Sequence, residues 1–290
     1  MKIPIIAGLA ELAEGYDGFI LDIWGVVHQG GDAYGEALDC IAQLSAAGKR
    51  VVFLSNAPRR AEKVADILER KGISPALYDA VLSSGEAARL AFESGSEAAL
   101  KELGRRYFPL ATAGDDDLLH GLDYAPTTEL AEADFLLAIG LSEERPSLAA
   151  HEALLGEAAS RGLTMVCVNP DREVIRLGTR ELCAGALAQA YEQMGGVVAY
   201  VGKPHPLVYR LALEMLGISQ RGRVLAVGDG LETDISGAGA AGIDALLVTG
   251  GLLAEELGVS RLQAPEPDIL AEICRAAKQS PSAAIPALSW

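Results

Sequence analysis

Asp22 closes the apolar run Phe19-Ile20-Leu21 and is followed by Ile23-Trp24-Gly25-Val26-Val27. An apolar run of this length, ended by a Gly-containing turn, reads as a buried β-strand with a carboxylate at its exit. Three later segments carry groups able to act with that carboxylate on a phosphate. They are Ser55-Asn56 after a second apolar run, Lys203 in Gly202-Lys203-Pro204-His205-Pro206, and Asp229 and Asp234 in Val227-Gly228-Asp229-Gly230-Leu231-Glu232-Thr233-Asp234. Carboxylates supply nucleophiles and hard oxygen ligands, a hydroxyl and loop amides bind phosphoryl oxygens, and an ammonium offsets their charge.

Asp229 and Asp234 bracket a strand exit and a helix start, which sets two acids near one point. Oxygen-only ligands, with no cysteine and few histidines, favour a hard cation such as Mg2+. Taken alone, Asp234 or Thr233 reads equally well as a helix cap. Ser55-Asn56-Ala57-Pro58-Arg59 offers a hydroxyl and exposed amides at a helix start, a pattern that is also a common capping signal. Lys203, held between Gly and Pro just before a helix, is an unusual place for a solvated charge and suits either a phosphate or a crowded carboxylate. Gly237-Ala238-Gly239-Ala240-Ala241-Gly242 has the spacing of a dinucleotide fingerprint, but that fingerprint opens a helix directly after a strand. Here Asp229 holds the strand exit, so close helix–sheet packing is the expected use of these glycines.

The elements that must position these groups alternate from Phe19 onward. Strands are expected at Phe19–Leu21, Arg50–Leu54 and Ala80–Leu82, with helices at Tyr34–Ala47, Arg60–Lys71 and from Gly85 to Phe92. This rhythm predicts a doubly wound α/β fold, a parallel Rossmann-like sheet covered on both faces. In such sheets ligands bind beyond the carboxyl ends of the strands, where Asp22, Ser55 and Asp229 all fall. A second α/β unit follows, with strands at Tyr107–Ala111, Phe135–Ile139 and Met165–Val168, helices around Ser147–Ser160 and Leu182–Met194, and loops at Asp115–Asp117 and Ala125–Glu129. The first rhythm then resumes with Val197–Val201, the helix Pro206–Leu216, Val224–Val227, the helix Thr233–Ala241 and Ala245–Val248. The expected organisation is a discontinuous core domain over 1–87 and 191–290, an inserted domain over 88–190, and a tail from Lys278 to Trp290.

Composition bounds the partners. The 290 residues carry a net charge of −16, which argues against a nucleic acid, because phosphate backbones need a Lys/Arg surface. An anionic substrate therefore needs a cation or a local lysine. Cys40, Cys167, Cys183 and Cys274 form no close pair, so buried thiols in a reducing cytoplasm are expected rather than zinc or a redox motif. Met1–Ala7 is briefly apolar, but Glu11 and Glu14 make it a poor signal peptide, and no charge-free stretch is long enough to span a membrane. The expected partner is a small phosphorylated metabolite in the cytoplasm, with no membrane; a homodimer stays open.

Together, Asp22-x-x-Gly25-Val26, Ser55-Asn56, Gly202-Lys203-Pro204 and Gly228-Asp229…Asp234 resemble the four ordered motifs of the haloacid dehalogenase superfamily. The insertion between the second and third motifs, with Val168-Asn169-Pro170-Asp171 and Gly185-Ala186-Leu187, resembles the α/β type II cap of the NagD-like phosphatases. The resemblance implies a Mg2+-dependent phosphatase in which Asp22 is the nucleophile that forms an aspartyl-phosphate. It implies that Asp22, the Trp24 main-chain carbonyl and Asp229 hold Mg2+ with support from Asp234. Ser55, Asn56 and Lys203 would then bind the phosphoryl oxygens, with Gly25 among the substrate-binding residues. Asn169 and Asp171 are either substrate contacts, as the matching loop of relatives is, or an ordinary Asn-Pro-Asp turn.

One residue departs from the pattern. Relatives usually carry an Asp two residues after the nucleophile, where it protonates the leaving group; this chain has Trp24. General acid–base help is worth about 10²–10⁴-fold. His28, six residues after Asp22, is one candidate replacement, with His205 and Glu232 as weaker ones; an ordinary loop histidine is the plain reading of His28. Two other functions stay open: cleavage of carbon–phosphorus or carbon–halogen bonds, and binding of a phosphorylated ligand without turnover.

Overall fold

The computed structural model describes residues 2–111, 117–142 and 144–290. Met1, and Asp115 and Asp116 of the expected loop, lie outside the described residues. In chain order the strands are β1 (Gly18–Leu21), β2 (Arg50–Ser55), β3 (Ala80–Ser83), β4 (Arg106–Leu110), β5 (Ala125–Pro126), β6 (Phe135–Ala138), β7 (Thr164–Cys167), β8 (Glu173–Arg176), β9 (Thr179–Leu182), β10 (Val197–Tyr200), β11 (Val224–Gly228), β12 (Asp244–Val248) and β13 (Ala283–Ile285). They belong to two units. One comprises Met1–Ser55, Glu62–Leu82 and Lys203–Trp290, the other Asn56–Ala61 and Ser83–Gly202. The sequence alone places the insertion over 88–190.

The first unit is built on a six-stranded sheet ordered β13-β12-β11-β1-β2-β3. β1 is flanked by β11 and β2, both parallel to it, and every residue of β1 is buried. A strand covered on both faces must be apolar throughout, which is why Gly18–Leu21 shows no alternation. Phe19, Leu21, Phe53, Ile41, Leu44 and Leu68 are among its fully buried side chains. Each such side chain contributes about 1.5–3 kcal/mol relative to exposure.

The register positions the chemistry. Leu21 pairs with Val227 on one side and Phe53 on the other, so Ser55 and Asp229 stand one row beyond Asp22 at the same end of the sheet. The order reverses around β1, so this end is the switch point expected of an open parallel sheet.

The second unit has its own five-stranded sheet, β10-β7-β6-β4-β5, with parallel pairs throughout. Leu136, Met165, Cys167, Leu155, Leu187 and Tyr191 lie in its core. A two-stranded antiparallel hairpin, β8–β9, carries the largely exposed Thr179–Leu182.

The structure corrects three expectations. β10, read as the resumption of the core, pairs with β7 at an edge of the second sheet. The rhythm of strands and helices does not say which sheet a strand joins. The stretch Lys278–Trp290 is no tail: β13 pairs with β12, and Ala287 and Leu288 are buried beyond it. Its Pro and Ser residues flank a three-residue edge strand, where proline is tolerated. The third concerns Gly237. Its closest neighbour is not a strand but the ring of Tyr209, where a Cβ would lie 2.2 Å from Cε2. Tyr209 belongs to another helix, Pro206–Leu216.

These glycines separate cleanly by substitution. Gly237→Ala forces the Tyr209 ring to move and is expected to cost about 1–3 kcal/mol, as overpacking does. Gly239 is exposed in the same helix, and a Cβ there meets nothing within 4 Å. Gly239→Ala is therefore expected to stabilise by about 0.5–1 kcal/mol. Urea unfolding of both variants checks the opposite signs.

Candidate active site

Asp22 follows the last residue of β1, and its N–H donates to Val227 O at 2.8 Å, so the ladder extends one residue past the strand and fixes where the side chain starts. Asp229 follows β11 in the same way. Its Oδ2 accepts the Leu252 N–H at 2.8 Å, from the loop beyond β12. Asp234 lies one turn further on, and its Oδ2 accepts the Gly230 N–H at 3.1 Å. All three carboxylates are buried, and one ligand oxygen of each lies within 4.8 Å of those of the others.

Lys203 supplies the positive charge. It is 3% exposed, and its Nζ donates to Asp22 Oδ1 at 2.5 Å and to Asp234 Oδ1 at 2.7 Å. Of the two uses the sequence left open for this lysine, the crowded carboxylate is the one seen in the structure. Burial pushes the Asp22 carboxyl well above the usual carboxylate range; Lys203 pulls it down, and the neighbouring Asp234 and Asp229 push it up again. Fully ionised, these three carboxylates and one ammonium sum to two negative charges. Buried charges need partners, and an all-oxygen donor set of this charge suits a hard divalent cation.

Close approach requires two glycines. At Gly25 the backbone is left-handed, with φ 82°, and a Cβ would lie 1.9 Å from Asp229 Oδ2; at Gly251 it would lie 2.2 Å from the same atom. The Gly25 N–H donates to His28 O at 2.9 Å. Within this fold Gly25 therefore gives room to Asp229 and closes the turn.

Trp24 is half-buried and bridges His28 through the backbone, and their rings meet edge-to-face at 5.2 Å. His28 is buried, and its Nδ1 accepts the Gly30 N–H at 3.1 Å. In the neutral ring the proton is then on Nε2. His205 precedes the helix Pro206–Leu216, and burial pushes its pKa down. Glu232 is exposed.

Ser55 is buried at the end of β2. The other expected substrate contacts gather in the second unit. Asn56 Nδ2 donates to Asp171 Oδ1 at 2.8 Å, and the Asp171 N–H donates to Asn169 Oδ1 at 3.2 Å. The Asn169 side chain thus closes an Asx turn over Pro170.

Sequence reasoning missed Gly251, Leu252 and Tyr209. The Gly250-Gly251 pair just past β12, at the same end of the sheet as Asp22, was the available signal. Tyr209 gave none, since an aromatic on an amphipathic helix reads as core.

The charge balance is testable. Lys203→Met keeps an apolar stem and removes the ammonium. Breaking a buried pair by deleting one partner costs about 3–5 kcal/mol, and a loss of that size is expected at about pH 7 in metal-free buffer. The Asp22 carboxyl, which burial holds above its ordinary pKa, binds more protons folded than unfolded, so the deficit shrinks as pH falls toward about 4. Urea titrations across this range check it; a deficit independent of pH would mean that Lys203 acts through packing alone.

The geometry agrees with what comparison finds. The family described as haloacid dehalogenase-like hydrolase matches residues 19–125, and one described as HAD-hydrolase-like matches 200–276. The chain is 28% identical to the sugar-phosphatase AraL of Bacillus subtilis over 255 residues, covering 86% of this chain and 88% of that protein. It is 29% identical to chronophin of Bos taurus over 287 residues, covering 91% of each. Its fold is similar to that of a haloacid dehalogenase-like hydrolase from Brucella suis, with a TM-score of 0.81 and 30% identity over 98% of this chain and 99% of the other. With this likeness along nearly its whole length, the chain belongs to the haloacid dehalogenase superfamily of hydrolases, in its NagD-like subfamily.

Proposed function

We propose that the protein is a Mg2+-dependent phosphatase that hydrolyses a small phosphorylated metabolite through an aspartyl-phosphate on Asp22. One observation carries this reading: Asp22, Asp229 and Asp234 converge at the switch point of a parallel sheet, with Lys203 bonded to two of them. The likeness to a protein named as a sugar phosphatase supports a phosphorylated substrate.

Mg2+ would be held by the Asp22 and Asp229 carboxylates and the Trp24 main-chain carbonyl, with Asp234 behind them. Its charge would offset the two negative charges that Lys203 leaves and neutralise the phosphoryl oxygens. Asp22 attacks phosphorus in line with the leaving oxygen; as the Asp22 O–P bond forms, the P–O bond to the leaving group breaks. Ser55 and the Asn56 amide orient the phosphoryl group. Lys203 favours the ionised form of Asp22 and offsets the equatorial oxygens. The His28 Nε2–H donates a hydrogen bond to the departing oxygen in place of the acid that Trp24 displaces, and water supplies the proton. Water then attacks the aspartyl-phosphate, releases inorganic phosphate and restores Asp22.

Trp24 favours a second reading, a protein that binds a phosphorylated ligand with little turnover. Phosphate release in Mg2+ across aryl phosphates, sugar phosphates, nucleotides and pyridoxal phosphate separates the two. Asp22→Asn is expected to abolish release; activity that persists in this variant would falsify the mechanism, and Mg2+-dependent binding without release would favour the second reading. His28→Ala is expected to lower kcat on alkyl phosphates by about 10²-fold and on aryl phosphates far less, because a phenolate departs without a proton. An equal effect on both removes His28 as the leaving-group partner.

A further inference from the structure

The helix Pro206–Leu216 starts three residues after Lys203 and carries Tyr209 on its first turn. Tyr209 is 1% exposed, yet its hydroxyl is not idle: it donates to Asp234 O at 3.0 Å, with Thr233 O at 3.3 Å from the same oxygen. These carbonyls belong to a single π turn, Leu231–Ile235, in which Gly230 O accepts both the Asp234 N–H at 2.9 Å and the Ile235 N–H at 3.1 Å. A π turn holds one residue more than an α turn, is rare, and recurs at functional sites. This one is what presents the Asp234 carboxylate.

One helix therefore grips one residue at two points. Lys203, just before the helix, takes the Asp234 side chain at Oδ1, and Tyr209, within it, takes the Asp234 main chain. Gly237, just after the π turn, leaves room for the ring that brings the hydroxyl there. Gly230 N–H and Thr233 Oγ1 complete the restraint from the other side, at Asp234 Oδ2.

We propose that Tyr209 is a positioning residue of the cation site, whose hydroxyl sets the main chain of the π turn and through it the direction of the Asp234 carboxylate. The inference rests on the reading of Asp22, Asp229 and Asp234 as a Mg2+ site. It gives Gly237, though not the exposed Gly239, a use that a nucleotide fingerprint does not supply.

The test measures metal binding without turnover. Mn2+ is titrated into the purified full chain and free Mn2+ is followed by electron paramagnetic resonance. Tyr209→Phe keeps the ring on Gly237 and removes only the hydroxyl. It is expected to raise the Mn2+ Kd by about tenfold, as loss of a group that orients a metal ligand does. Gly237→Ala displaces the same ring and is expected to weaken Mn2+ binding in the same direction. A Tyr209→Phe protein with a lower Tm and the wild-type Kd would overturn the proposal, because the hydroxyl would then serve packing only. Wild-type protein that binds no Mn2+ would overturn it together with the metal site, an outcome distinct from equal binding by wild type and variant.

Discussion

Three buried carboxylates share one ammonium, and the rest of the first unit is arranged around that imbalance. Lys203 bridges Asp22 and Asp234 but leaves the cluster short of positive charge. Such a group is stable only if its atoms cannot drift toward water, so each carboxylate is held by main chain that cannot easily move. Asp22 sits on the β1–β11 ladder, Asp229 takes an N–H from the loop after β12, and Asp234 takes one from Gly230. A cluster held this way has its shape before any ligand arrives. The binding of a cation there would not bear the cost of ordering the site.

Much of this was readable from the chain because parallel strands advertise their exits. A short apolar run that stops at a carboxylate places that carboxylate at the carboxyl end of a strand, and Asp22 and Asp229 were found on that ground. Lys203 was noticed because glycine and proline around a lysine make poor sense for a solvated charge. What could not be read depends on partners distant in sequence. β10 and β13 are strands by local pattern at best, and the neighbour that each pairs with is a tertiary fact. The bond from Asn56 to Asp171 crosses 115 residues. Tyr209 is an aromatic among aliphatic residues on a helix, and only its hydroxyl, aimed at a turn 25 residues away, distinguishes it from core.

Trp24 shows how a main-chain role and a side-chain role can part at one position. The carbonyl proposed as a ligand is indifferent to the side chain, so an indole can stand where an acid is usual without dismantling the cluster. The indole meets His28 edge-to-face, an arrangement worth about 0.5–1.5 kcal/mol beyond area burial. That contact, the Gly25–His28 bond and the Gly30–His28 bond make the segment from Trp24 to Gly30 a closed turn with one fixed imidazole.

The place of β1 in the sheet also has a consequence for how the chain is made. β2, its neighbour on one side, emerges soon after it, but β11 follows Asp22 by about 200 residues. At a synthesis rate of about 5–20 residues per second, that interval is about 10–40 s. All the strands of the second unit are complete before β11 appears. During that time the β1 edge that will pair with β11 is open, and Asp22 has neither its lysine nor its fellow acids. The nascent carboxylate can stay hydrated and pay no burial cost until Lys203 has been made. The acid therefore enters the protein interior only after the charge that tolerates it there exists.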